Sequence, residues 1–215
     1  MIPLLHDFEG ETVLVFGGGS VGARKARRFA READVVVVSP DFVDADFGGA
    51  QRVRAAPDEA DVAAWFDRTD PALAVAATDD AAVNAAVERV ADDRGVLSNR
   101  TDQSGGRDPG SVVVPATVRD DPVVAAVATG GTSPALSRLL RQRIETEIDG
   151  AGAMAELTGE LRAELQADGV DPETRREAVR AVVRSDRVWK ALDSGDTNTR
   201  QVAVDVLSDV TGDTS

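Results

Sequence analysis

Thr12-Val13-Leu14-Val15-Phe16-Gly17-Gly18-Gly19-Ser20-Val21-Gly22 is the stretch that decides the fold of this 215-residue chain. Its first five residues are apolar or β-branched, which is typical of a buried strand. The glycines then follow the spacing Gly17-x-Gly19-x-x-Gly22, and helix-forming residues continue to Arg31. In such a unit the first glycine allows a tight turn, the second lets the backbone approach a pyrophosphate, and the third lets the helix pack against the strand. The stretch predicts a dinucleotide site at a helix N-terminus; a glycine turn without a ligand is the alternative.

Strands and helices continue to alternate after this unit. Short apolar runs predict strands at residues 35–38, 51–55, 73–77 and 96–98. Helical spacing of apolar residues predicts helices at 58–66 and 80–94. Alternation of this kind is typical of an α/β fold with a Rossmann-type parallel sheet. The strands lack polar alternation, which indicates a sheet covered on both faces.

The pattern changes after Gly110. We expect residues 112–114 and 123–127 to form an antiparallel hairpin around a turn at 119–122, and the chain to be mostly helical after Pro134. Asp171 and Pro172 together predict a helix start. The sequence therefore divides into a Rossmann domain at 1–112, a linking segment at 113–148 and a helical C-terminal domain at 149–215.

Two further features lie where the second and fourth strands end. Asp41 has about the spacing expected of an acid that binds the adenosine ribose, and its charge favours NAD because it would repel a 2′-phosphate. Arg52 or Arg54 would weaken that preference. Thr78 either faces the cofactor or precedes an aspartate, at 79 or 80, that caps the next helix, and both roles are compatible.

A second constellation lies downstream. Asn99-Arg100-Thr101-Asp102 follows the fifth strand, and Thr129-Gly130-Gly131-Thr132-Ser133-Pro134-Ala135-Leu136 joins a strand to a helix that bears Arg138, Arg141 and Arg143. Small residues before a helix N-terminus form a potential anion site. The arginines either attract a carboxylate-rich ligand or pair with helix acids such as Glu145.

These motifs together resemble the precorrin-2 dehydrogenase and sirohydrochlorin ferrochelatase domain of the siroheme synthase family. The matching stretches run in family order over residues 2–145, and Gly-Gly-Thr-Ser-Pro-Ala-Leu at 130–136 is the most distinctive. A short insertion at 103–108 follows Asp102, and Thr129 stands where some members carry serine. No methyltransferase domain follows, so the three-activity siroheme synthase is not expected.

The resemblance implies NAD-dependent oxidation of a tetrapyrrole, precorrin-2, and in many members insertion of ferrous iron. It implies a homodimer built on the 113–148 segment and a catalytic aspartate at Asp102. It places NAD at Ser20, Val21, Pro40 and Asp41, beside Gly17, Gly19, Gly22 and Thr78 of the loops described above. The expected substrate-binding residues are Asn99, Thr129, Gly130, Gly131, Thr132, Ser133, Arg138 and Arg141. No resident metal ion is expected.

The composition argues against several other classes of protein. The formal net charge is −14 and cysteine is absent, so a basic nucleic-acid-binding face, a disulfide framework and thiolate chemistry are not expected. The single histidine excludes a histidine cluster for metal, and the absence of a signal peptide or long apolar run predicts a cytoplasmic protein without a membrane span. Scattered acids with few lysines favour an extremely halophilic source. A non-catalytic NAD-sensing module and a dehydrogenase of another substrate are the competing interpretations.

Overall fold

The computed structural model describes residues 2–102, 111–195 and 198–211. The chain divides into two compact units, Met1–Val114 and Pro115–Ser215. Within the described ranges, no helix has the length and apolar character needed to cross a membrane. The predicted insertion at 103–108 lies outside the described residues.

The first unit is a five-stranded parallel sheet with helices on both faces. Its strands lie in the order β3-β2-β1-β4-β5, and every neighbouring pair is parallel. The elements are β1 (Thr12–Phe16), α1 (Ser20–Phe29), β2 (Asp34–Ser39), β3 (Gln51–Arg54), α2 (Val62–Thr69), β4 (Leu73–Ala76), α3 (Ala81–Arg94) and β5 (Leu97–Arg100). Because β1 lies between β2 and β4, the chain reverses its direction of travel across the sheet beside β1, which is where open α/β sheets bind ligands.

Alternate residues of β1 enter two separate apolar clusters. Leu14 and Phe16 pack with buried residues of α2 and α3, whereas Val13 and Val15 pack with Ala23 and Ala26 of α1. These four side chains are fully buried. Successive side chains of a strand point to opposite faces, so the uninterrupted apolar run reflects a sheet covered on both sides. This confirms the predicted parallel sheet.

The second unit begins with a hairpin whose first strand differs from our prediction. The structure pairs β6 (Ala116–Asp120) with β7 (Val123–Val127), not residues 112–114 with 123–127. Ser111 instead forms a bridge with Ser98, and the Val112 N–H donates to the Ser98 carbonyl at 2.7 Å. Ser111 and Val112 therefore lie beside β5, residues 112–114 form no strand of the hairpin, and the prediction of a strand there is wrong.

Five helices follow among the described residues of the second unit. They are α4 (Pro134–Glu147), α5 (Ala151–Ala167), α6 (Pro172–Val183), α7 (Asp186–Asp193) and α8 (Thr199–Thr211). The Asp171 side chain accepts hydrogen bonds from the Glu173 and Thr174 N–H groups, with Pro172 at the first helical position, which confirms the predicted start of α6. Buried apolar residues of α5 to α8, including Leu161 and Val182, form one core.

The fold class is as predicted: an α/β Rossmann-type sheet followed by a β-hairpin and a helical C-terminal part. The hairpin belongs to the same compact unit as the helices after it. The finer division at residues 112 and 148 stays a prediction.

Candidate dinucleotide site and carboxylate network

The glycine turn between β1 and α1 is sterically closed at three of its glycines. Gly17 has φ +113°, and a Cβ there would collide with the Ala77 carbonyl. A Cβ on Gly22 would strike the Gly17 carbonyl, so helix and strand approach as the predicted role of Gly22 requires. Gly18 lies equally close to the Asp41 carbonyl. The glycine spacing alone assigns no role to Gly18, because the atom that excludes a side chain there belongs to the turn after β2.

Gly19 is the exception in this turn. It is exposed, has φ −75°, and a Cβ built on it would meet nothing within 4 Å. It is also the N-cap of α1, and no side chain caps the helix there. The first turn of α1 contains no acid. Unsatisfied N–H groups at an uncapped helix start attract anions, so the turn has the open face and the donors that a pyrophosphate requires.

Asp41 lies beyond the end of β2, next to this turn. Its side chain is 89% exposed and pairs with Arg54 at 3.2 Å. The Arg52 guanidinium lies over the rings of Phe42 and Phe47, 5.8 and 5.6 Å from their centroids. Of the two arginines considered in the sequence analysis, Arg54 is thus the one beside the predicted ribose-binding acid. Both groups of the pair are exposed, so the ion pair itself adds little stability.

Thr78 and Asp80 form the turn between β4 and α3. The Asp80 carboxylate accepts hydrogen bonds from the Ala82 and Val83 N–H groups at 2.8 and 3.3 Å, which confirms the predicted helix cap and assigns it to Asp80. The Thr78 hydroxyl lies 2.7 Å from the Asn84 amide oxygen and 3.0 Å from the Asp80 carbonyl. The buried Asn84 amide nitrogen donates to the Thr78 carbonyl at 2.9 Å. A contact of Thr78 with the cofactor stays a prediction.

Asp102 is held by an arginine two residues before it. The Arg100 Nε donates to Asp102 Oδ1 at 2.8 Å, and Nη2 donates to Oδ2 at 3.0 Å. The third nitrogen, Nη1, lies 3.1 Å from a carboxylate oxygen of Glu88 on α3. The Arg100 hydrogen bond holds the pKa of Asp102 below its ordinary value, and Asn84 lowers it further by hydrogen bonding. Glu88, Arg100 and Asp102 thus form one charged network, and Asn84 of α3 holds the Thr78 turn.

Asn99 lies on the opposite face of β5 from this network. Its amide oxygen accepts from Lys25 Nζ of α1 at 2.7 Å, and its amide nitrogen donates to the Val112 carbonyl at 2.7 Å. Asn99 is only 3% exposed. Asn99 and Asp102 were predicted to belong to one site. A strand directs neighbouring side chains to opposite faces, so Asn99 and the adjacent Arg100, which holds Asp102, point to different sides of the sheet. Here Asn99 joins α1, β5 and the 111–112 segment; its predicted contact with substrate is untested.

The second predicted anion site, in the second unit, is built from hydroxyl groups. Gly130 and Gly131 have φ of +62° and +82°. The Thr129 hydroxyl lies 2.9 Å from the Ser137 hydroxyl and 3.1 Å from the Ser133 carbonyl, and the Thr132 hydroxyl donates to the Thr129 carbonyl at 2.5 Å. The Ser133 side chain caps α4 by accepting from the Leu136 N–H. The turn is therefore ordered by its own side chains.

The two arginines predicted to bind substrate differ in their surroundings. Arg141 pairs with Glu145 at 3.0 Å, one helical turn away, as the alternative in the sequence analysis anticipated. Arg138 is exposed and forms no ion pair with any described residue. Arg138 is therefore the more available of the two cations for a carboxylate ligand.

Sequence reasoning did not predict the contacts of four residues that order these sites: Lys25, Asn84, Glu88 and Arg100. A signal existed for Arg100, because residues two apart in an extended chain share a face and Arg100 and Asp102 carry opposite charges. The others depend on which helix covers which face of the sheet. That placement follows from the fold and not from local spacing.

Comparisons with known proteins agree with this arrangement. Residues 4–116 match a family described as putative NAD(P)-binding. A siroheme synthase from Stutzerimonas stutzeri is 38% identical over 180 residues, which are 81% of this chain and 37% of that protein. A precorrin-2 dehydrogenase from Methanosarcina barkeri is 30% identical over 200 residues, 89% of this chain and 86% of that protein. This chain thus spans little more than a third of the siroheme synthase that it matches.

A solved structure described as SirC, precorrin-2 dehydrogenase, has the same fold. It superposes with a TM-score of 0.70 over 99% of this chain and all of that chain, at 21% identity. The family match extends through the glycine turn, β4 and Asp102, and the Methanosarcina match extends over most of both chains. The chain therefore belongs to the NAD(P)-binding family that includes the precorrin-2 dehydrogenase of Methanosarcina barkeri.

Proposed function

We propose that this chain oxidises precorrin-2 to sirohydrochlorin with NAD⁺. The macrocycle loses a hydride, which reduces NAD⁺ to NADH, and a proton, which is released. The observation that carries the proposal is the turn at the end of β1, where Gly19 faces open space at an uncapped helix start. The similarity to a precorrin-2 dehydrogenase over most of both chains supports the choice of substrate.

The residues around the turn fit a dinucleotide. The N-terminus of α1, at Gly19, Ser20 and Val21, would hold the pyrophosphate through backbone N–H groups. Pro40 and Asp41 beyond β2 would hold the adenosine ribose, and the Asp41 carboxylate disfavours a 2′-phosphate. Bound NAD⁺ supplies the hydride acceptor, and the protein supplies binding and orientation. We propose NAD as the cofactor because Arg54, the cation beside Asp41, is already paired with it.

Asp102 is the candidate catalytic residue. It lies beyond the carboxyl end of β5, two strands from the glycine turn, and Arg100 at the end of β5 holds it on both oxygens. Ligands of open α/β sheets bind at this end of the strands. A charged group fixed beside the reacting atoms typically contributes about 10²–10³-fold in rate by stabilising the charge that develops there.

The carboxylates of the macrocycle need cations or N–H donors. We propose that Arg138 and the 129–133 turn contact the substrate. Arg138 lacks a described acidic partner, and Gly130 and Gly131 expose backbone at the start of α4. Arg141 would have to leave Glu145 in order to contribute, so we expect it to contribute less than Arg138.

We further propose that the chain forms a homodimer through the hairpin and α4. Val118 is the one buried apolar residue of the described hairpin, α4 has none, and Leu136 and Leu139 are each 44% exposed. An exposed apolar surface of this kind is typical of a protein interface. Sedimentation velocity should give a dimer, and Leu136→Asp with Leu139→Asp should give a monomer that still binds NAD. A wild-type monomer at micromolar concentration would contradict the proposed dimer.

The experiment that tests the activity is incubation of the chain with precorrin-2 and NAD⁺, with the absorbance of NADH and sirohydrochlorin recorded. The assay should be run in dilute buffer and in concentrated KCl, because the acidic composition favours a halophilic enzyme. Asp102→Ala should bind NAD normally and lose turnover about 10²-fold or more. Asp93→Ala, an exposed acid near the end of α3, is the matched control and should retain turnover.

The outcomes separate the competing functions. NAD binding without precorrin-2 oxidation would favour the NAD-sensing module or a dehydrogenase of another substrate, and would reject this proposal. Addition of ferrous iron to the sirohydrochlorin product tests the second activity of the family. Iron is the substrate there, and formation of siroheme above the uncatalysed rate would establish insertion.

A further inference from the structure

All three guanidinium nitrogens of Arg100 bind carboxylate oxygens of Asp102 or Glu88. Nε and Nη2 bind the two oxygens of Asp102 at 2.8 and 3.0 Å, and Nη1 binds Glu88 at 3.1 Å. The Arg100 side chain is 12% exposed, that of Glu88 23% and that of Asp102 29%. A bidentate arginine–carboxylate pair fixes both the charge and the plane of the carboxylate. At low exposure such a pair is screened less than a surface pair.

Among the described residues, the remaining surroundings of Asp102 are polar and add no second cation. Asn84, 1% exposed, lowers the pKa of Asp102 and anchors the Thr78 turn at the end of β4. The neighbouring acids of that turn are Asp80, which caps α3, and Asp79, which is exposed. Glu88, Arg100 and Asp102 carry two negative charges and one positive charge, so the trio keeps one net negative charge.

We propose that Arg100 is a positioning residue that holds Asp102 as an oriented, permanently ionised carboxylate, so that Asp102 acts on the substrate as a stationary negative charge. This inference rests on the proposed oxidation of precorrin-2. Departure of a hydride leaves positive charge on the macrocycle, and a fixed carboxylate stabilises that charge without reorganising during the reaction. Protonation of Asp102 would break one of its two bonds to Arg100. The proton that the macrocycle releases therefore goes to water and not to Asp102.

The test is the pH dependence of kcat in Arg100→Met and Arg100→Lys. In the wild type, we expect kcat to show no acidic limb from Asp102 above about pH 5, because the pair keeps the pKa of Asp102 below its ordinary value near 3.9. Arg100→Met should lower kcat about tenfold at neutral pH and leave KM for NAD⁺ unchanged. It should also move the acidic limb of the kcat profile to higher pH. Arg100→Lys retains the positive charge, so its acidic limb should stay near the pH of the wild type and its kcat should lie between those of Arg100→Met and the wild type.

Arg94→Met is the matched control. Arg94 forms a comparable 2.8 Å pair with Asp67 elsewhere in the same unit, and we expect its loss to leave the pH profile unchanged. Thermal unfolding and NAD titration establish that each variant is folded. An Arg100→Met enzyme with wild-type kcat and an unmoved acidic limb would overturn the proposal.

A second measurement does not depend on turnover. The carboxyl carbon of Asp102 can be followed by ¹³C NMR in protein labelled at aspartate, with Asp102→Asn to assign the signal. We expect the titration of Asp102 to move to higher pH in Arg100→Met, whereas an unmoved titration overturns the role of Arg100. If the wild type fails to oxidise precorrin-2 while this shift is observed, the proposed function fails and the hold of Arg100 on Asp102 is retained.

Discussion

The glycine-containing turns that lead into α1 and α4 are built in different ways. In the turn before α1, Gly17, Gly18 and Gly22 lie against backbone carbonyls, so the covered sheet dictates the absence of side chains. In the turn before α4, Gly130 has a positive φ but nothing within 4 Å of its missing Cβ, and threonine and serine hydroxyls supply the order. The first turn therefore depends on packing, whereas the second depends on backbone conformation and local hydrogen bonds.

The largest expected effect that tests this contrast is that of Gly22→Ala. Its Cβ would strike the Gly17 carbonyl, a backbone atom that cannot move without disturbing β1. We expect a loss of about 3 kcal/mol in the free energy of unfolding of the first unit, at the upper end of the cost of overpacking. Each unit contains one tryptophan, Trp65 in α2 and Trp189 in α7. Urea unfolding in a Trp189→Phe background therefore reports on the first unit through Trp65.

Gly19→Ala is the control from the same turn. Gly19 has negative φ and open space around its missing Cβ, so alanine should change stability by less than about 1 kcal/mol. Equal destabilisation by the two substitutions would mean that the turn is governed by glycine flexibility and not by close approach. A reduced affinity for NAD in Gly19→Ala alone would place the ligand on the open side of the turn.

The contrast between the turns also explains how far the sequence predicts this structure. The roles of Gly17 and Gly22 follow from a spacing that encodes a local strand–turn–helix unit, and local rules were sufficient there. Residues 112–114 have the composition of a strand, yet they form no strand of the hairpin, and Val112 bonds to Ser98 and Asn99 of β5. A hairpin partner is chosen by non-local contacts, which composition does not encode.

The residues of the candidate site also divide into those that local sequence predicts and those whose contacts depend on the fold. Asp41 and Thr78 were predicted because each follows a strand, and parallel strands bring their carboxyl ends to one edge. The catalytic role of Asp102 was predicted from the family resemblance, and its place after β5 agrees with that edge. The partner of Asp102 was two residues away, whereas the contact of Lys25 with Asn99 spans 74 positions in the chain. Such a contact becomes visible only when α1 and β5 have been placed on the sheet.

The smallest expected effect concerns Gly130→Ala in the second turn. Alanine in the left-handed region costs about 1 kcal/mol, and no clash adds to it, because nothing lies within 4 Å. Gly159→Ala supplies a control of opposite sign in the same unit: Gly159 is exposed within α5, where alanine favours the helix by up to about 1 kcal/mol. Urea unfolding of Trp65→Phe variants follows both changes through Trp189. The same added methyl group should destabilise at one position and stabilise at the other, because backbone conformation and not packing decides both. Destabilisation by Gly130→Ala as large as that by Gly22→Ala would show that the second turn is packed as closely as the first.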